Sequence, residues 1–142
     1  MTFASENPFG ANDAWSIGYY VYSTVAIADR HSVLMDADKT HSFDLKMASS
    51  RSAGYHVGTG SGDVLTFNYT FAKDTWYHVM WTQSKSEGLT MYVNGNKVDT
   101  NTWTKTGLTH APLDIVGGTG FEGYIDELKV YNRVLTADEV KV

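Results

Sequence analysis

Short alternating stretches, punctuated by turn-forming residues, recur every eight to twelve residues along this 142-residue chain. That spacing constrains the fold more than any other feature of the sequence. In "AWSIGYYVYS", Trp15, Ile17, Tyr19 and Val21 share one face, and Ser16, Gly18, Tyr20 and Tyr22 share the other, because successive strand side chains point to opposite sides. "HSVLMD" and "HSFDLKMA" follow, separated by the turn-like "DADKT". Then come "AGYHVGTG" and "DVLTFNYTF", split by "GTGSGD", and after them "TWYHVMWTQ" and "LTMYVNG". In the last of these, Leu89, Met91 and Val93 face one way, and Thr90 and Tyr92 the other. "NGN" marks a hairpin, since Asn and Gly tolerate positive φ, and it returns the chain into "KVDT". "LDIVGG" and "GYIDELKVY" close the series. Ten or more short strands leave no room for helical crossovers. The reading is therefore all-β: one domain over residues 1–142, two antiparallel sheets packed face to face.

The end of the chain breaks this pattern. Thr136 can cap a helix, with Glu139 as its capping-box partner and Leu135 stapled to Val140. A short C-terminal helical turn is expected there.

Charge and composition remove several classes of function. Eleven basic and sixteen acidic residues are spread along the chain, with no basic stripe and no run of like charge, so nucleic acid and anionic membranes are poor partners. No stretch approaches 18 apolar residues, so membrane insertion is not expected. There is no cysteine, and a chain of this length buries roughly 70% of its unfolded surface without needing bridges. "MTFASENPFG" lacks the basic start and apolar core of a signal peptide. Either the protein is not secreted by that route or this is a module cut from a longer chain, and Met1, two residues before the strand-like Phe3, favours the second.

The carboxylates do not read as catalytic. Asp126 and Glu127 are neighbours on a strand, which should aim them at opposite faces, whereas a glycosidase needs two carboxyls flanking one bond, roughly 5 to 9 Å apart. Asp36 and Asp38 sit at a turn with no third acid in step. The histidines, at positions 31, 41, 56, 78 and 110, show no close pair with zinc spacing. His78 reads as a hydrogen-bonded strand residue; His56, beside glycine-rich loops, is freer to touch a ligand.

The aromatic residues carry more information. A sugar ring presents an apolar C–H face that suits a flat aromatic side chain, while its hydroxyls need polar partners. If Ile17 and Val21 face the core, Tyr20 and Tyr22 face outward. Tyr55 and Trp103 lie in loops or strand ends, and Arg51 is near enough to Tyr55 to hold an acidic group beside it. These residues, with His56, form the candidate ligand set. Trp15, Trp76 and Trp81 are assigned to the core. "NYT" at Asn68 fits a glycosylation acceptor pattern too short to carry weight.

Three segments together resemble the laminin-G-like branch of the concanavalin A-like lectin/glucanase superfamily. They are "WSIGYYVYS", "DTWYHVMWTQSKSEGLTMYVNGNKV" and "FEGYIDELKVYNRVLTADEV". The resemblance implies a jelly-roll sandwich, often with one bound calcium. Similar family members use the Asp of Ile-Asp-Glu, here Asp126, in that site. Calcium takes six to eight oxygens, many of them backbone carbonyls, and "SENPFGAND" offers Glu6, Asn7, Asn12 and Asp13 as partners; Glu6 and Asn7 are the leading choices. The opening strand and loop are abbreviated relative to the family, and the Glu-x-Asp-x-(x)-Glu run of its glucanases is absent. The functional expectation is a non-catalytic module that binds a polysaccharide or other glycan, extracellular or secreted as part of a larger protein. The alternative is a structural or protein-interaction domain displayed on a surface such as a phage tail or capsid.

Overall fold

A computed structural model describes residues 14–25, 31–35, 41–45, 53–57, 64–102, 115–117 and 120–141. Among them, ten strands run in the order β1 (Trp15–Ser23), β2 (His31–Met35), β3 (His41–Leu45), β4 (Ala53–Val57), β5 (Val64–Phe67), β6 (Trp76–Ser84), β7 (Gly88–Val93), β8 (Asn96–Asn101), β9 (Ile115–Val116) and β10 (Gly123–Tyr131). A single helical turn, α1 (Ala137–Val140), follows. The strands form two five-stranded sheets, ordered β10-β1-β6-β7-β8 and β5-β4-β3-β2-β9. Every pairing within them is antiparallel, and five of the eight join consecutive strands, for which a short connection suffices.

The core lies between the sheets. The alternation of β1 buries Trp15, Ile17, Tyr19 and Val21, β6 adds Val79 and Trp81, and β7 adds Leu89, Met91 and Val93. Phe67 reaches over from the second sheet and meets Trp81 edge-on, ring centroids 5.0 Å apart. Trp81 also donates its indole N–H to the Tyr19 hydroxyl at 3.1 Å, a buried hydrogen bond between two core side chains. In β2 the register shifts between Ser32 and Leu34, and both Val33 and Leu34 are buried, the result expected of one extra residue in the strand. The β7–β8 hairpin turns on Asn94 and Gly95, with φ of 50° and 77°, the left-handed pair that matches strand twist.

A second, smaller cluster forms on the outer face of the first sheet. Met80 and Tyr92 point outward from β6 and β7, and the C-terminal segment folds over them with Leu135 and Val140. Ser16 Oγ fixes that segment: it accepts from Leu135 N and donates to the Arg133 carbonyl, each at 2.9 Å. The expected capping box is present. Thr136 Oγ1 accepts from Glu139 N, and Glu139 accepts from Thr136 N. Glu139 also takes a two-pronged bond from Arg133 at 2.8 and 2.7 Å. Together these bonds hold its carboxyl down at about 2.

One sequence assignment fails here. Trp76 is not in the core; it is 48% exposed. Trp76 and Trp81 are five residues apart on β6, and a period of two puts residues an odd number apart on opposite faces. Trp81 is inward, so Trp76 is outward.

Candidate ligand-binding face

The end of the outer face away from α1 is built by three adjacent strands. Tyr22 on β1 pairs with Trp76 on β6 and with Tyr124 on β10. Each occupies an outward position, because their neighbours Val21 and Ile125 pack inward. The rings form a tilted cluster, with centroids 5.5 Å apart for Tyr22–Trp76, 5.9 Å for Tyr22–Tyr124 and 6.4 Å for Trp76–Tyr124. Tyr124 is 62% exposed. With Thr24, the three rings line an open depression of about 440 Å³.

One step along the same strands, Tyr20 pairs with His78 and with Asp126. The Tyr20 and His78 rings lie 4.8 Å apart. The backbone of His78 is secured by the hairpin: its N–H donates to Asn94 Oδ1 at 2.9 Å and its carbonyl accepts from Asn94 N at 2.8 Å. Partial burial, and then the charge of Lys129, push the imidazole below its ordinary value, with Glu127 acting weakly the other way. The ring is therefore neutral at neutral pH.

The carboxylates depart from expectation. The register between β1 and β10 slips between Gly18 and Tyr20: Gly18 faces Lys129, yet Tyr20 faces Asp126. β10 therefore carries one residue more than β1 over this interval, a bulge, and Glu127 sits within it at a positive φ of 48°. Ile125 and Leu128 both pack on the core, which leaves Asp126 and Glu127 together on the outside. They do not point to opposite faces; with Tyr20 and Trp76 they line one depression of about 360 Å³. Asp126 Oδ1 accepts from Glu127 N at 2.8 Å, and Glu127 Oε2 accepts from Lys129 Nζ at 2.9 Å. Trp76 borders both depressions and forms the ridge between them.

A family model for the concanavalin A-like lectin/glucanases superfamily matches residues 1–141. The chain belongs to that superfamily. The expected jelly-roll sandwich, with one helical turn at the C-terminus, is the fold observed. The comparison with curated proteins finds no match. Among solved structures, a putative carbohydrate binding protein from Bacteroides ovatus is 13% identical with a TM-score of 0.69, covering 99% of this chain and 42% of that one. Domain 4 of AbnA, an extracellular arabinanase from Geobacillus stearothermophilus, was solved in complex with arabinotriose. It is 15% identical with a TM-score of 0.67, covering 95% and 68%. A heptameric SAP-like pentraxin from Limulus polyphemus is 18% identical with a TM-score of 0.64, covering 92% and 69%. At these identities the likeness is one of fold, and the fold alone does not assign an activity.

Of the candidate ligand residues, Tyr20 and Tyr22 lie on the exposed face of the first sheet. Tyr55 and His56 belong to β4, in the other sheet, so their strand does not contribute to this face. Arg51 and Trp103 lie outside the described residues, as do Glu6 and Asn7 of the expected metal set. Asp126 is exposed beside Glu127, but among the described residues no group of three or more His, Asp or Glu side chains converges to hold a metal. Sequence reasoning missed Trp76 and Tyr124. The signal for both was there: each alternates with an inward-facing neighbour, Tyr77 and Ile125 respectively.

Proposed function

We propose that this chain is a non-catalytic glycan-binding module, and that its ligand lies across the Tyr22–Trp76–Tyr124 platform and the adjoining Tyr20. The single observation that carries this reading is the half-exposed indole of Trp76, held by tyrosines of two neighbouring strands and rooted in a five-stranded sheet. Rigid, wet aromatic faces beside carboxylates match a sugar's apolar ring face and its hydroxyl rim. The missing Glu-x-Asp-x-(x)-Glu run of the superfamily's glucanases supports the non-catalytic part. The test is a glycan array followed by calorimetric titration of a hit. Trp76→Ala should weaken binding tenfold or more with the melting transition retained; no glycan bound at millimolar sugar would sink the reading.

The module would work in an extracellular protein, as part of a longer chain. A structural or protein-interaction domain, displayed on a surface such as a phage tail or capsid, is the second reading. It draws on the same exposed rings, and an array without hits alongside a protein partner lost on Trp76→Ala would favour it. A structural calcium is also proposed, with Asp126 as one ligand and Glu6 and Asn7 as the others; bound there, it would fix the N-terminal loop. Calcium should then raise the melting temperature by mass action, reversibly with EDTA, and Asp126→Ala should abolish the shift. No shift in the wild-type protein would remove calcium from the account.

A further inference from the structure

The glycan reading leaves open which sugars the face accepts. We infer that it is selective for uncharged glycans and rejects uronic-acid and sialylated chains, with Asp126 and Glu127 as the residues that set this specificity. The inference rests on the glycan-binding reading and deepens it.

Three observations carry it. The bulge in β10 turns two consecutive carboxylates onto one face, where they share a depression with Tyr20 and Trp76. Ionised carboxylates only accept hydrogen bonds, so they suit the hydroxyl donors of a neutral sugar stacked on Trp76 and have nothing to offer another carboxylate. Among the described residues, the cations nearest the rings are already engaged, Lys73 by Asp74 at 3.2 Å and Lys129 by Glu127. The Lys129–Glu127 bond is 2.9 Å long, and the cations of the C-terminal segment, at the other end of the face, are paired as well, Arg133 with Glu139 at 2.7 Å and Lys141 with Asp138 at 3.0 Å. Without calcium on Asp126, the charges of Asp126, Glu127 and Lys129 together leave this end of the face net negative. A sugar carboxylate laid over Trp76 would meet that charge within a few ångströms, where unit charges in water still repel by an amount worth about fivefold in affinity.

The test compares the wild-type chain with the Asp126→Asn, Glu127→Gln double variant, both in EDTA, on one array carrying neutral, uronate-containing and sialylated glycans. Both substitutions keep shape and polarity: the amide introduced at position 126 retains an oxygen for the backbone N–H of residue 127, and the side chain at 127 stays unbranched at its left-handed φ. A thermal melt checks that the variant is folded. Wild-type binding should favour uncharged glycans over their anionic counterparts by about fivefold. The variant frees Lys129 and turns the patch net positive, so the ratio of anionic to neutral binding should rise about fivefold for each of the two charges removed, about 25-fold in all at low salt. That gain should shrink as the ionic strength approaches about 1 M. Wild-type hits among the uronates as strong as the neutral ones would overturn the inference and leave the glycan reading standing, and so would an unchanged ratio in the folded variant. An array silent for the wild-type chain would overturn both.

Discussion

The outer face of the first sheet has two ends with different fates. At one end, Met80 and Tyr92 are sealed by the chain itself, under Leu135 and Val140. At the other, Tyr22, Trp76 and Tyr124 are bordered by open depressions. Both ends lie on the same sheet and have the same outward parity. The fold therefore has a way to cover apolar side chains on this face and applies it to one end only. Among the described residues nothing covers the other end, and it is on these grouped, exposed aromatics that the proposed glycan site rests.

The largest difference between the ends should appear in stability. Leu135→Ala removes a buried side chain from the sealed end and should cost about 2–4 kcal/mol in urea unfolding. Trp76→Ala at the open end should cost about 1 kcal/mol or less, since it loses ring contacts and little burial. Equal costs would break the comparison, because Trp76 would then be a structural residue. Next in size is the helix cap: Thr136→Ala should lower stability by about 1 kcal/mol and expose the second cluster without touching the aromatic platform.

The smallest effect is one of pH, and it separates the two ends by window. Folded His78 holds its proton less tightly than an unfolded histidine near 6.5. Its contribution is complete above that pH and is lost as pH falls through the lowered folded value. Glu139 acts later in an acid titration: its contribution is complete above about 4.5 and lost as pH falls through about 2. Melting temperature followed from neutral pH downward should therefore fall first through the open end, and His78→Gln should flatten that first step alone. A first step unchanged in His78→Gln would assign it to other groups.

Much of this was legible in the sequence, for local reasons. Alternation in β1 and β7 sorted inward from outward residues correctly, the Asn94–Gly95 turn was specified by its own chemistry, and the Thr136–Glu139 box needed only three-residue spacing. Trp76 was misassigned although the same alternation, counted from Trp81, places it outside. Tyr55 and His56 were grouped with Tyr20 and Tyr22 on residue type, but their strand belongs to the opposite sheet.

The sequence by itself determined the strands, the hairpin, the helix cap and the membership of an all-β family, because each rests on periodicity or on contacts a few residues long. Tertiary structure decided which aromatics meet and where the two carboxylates point. Tyr22, Trp76 and Tyr124 come together only through the β10-β1-β6 order, across as many as 102 residues of chain. Asp126 and Glu127 share a face only because β10 holds one residue more than the strand beside it. A bulge is a mismatch between two strands, and no single strand's pattern records it.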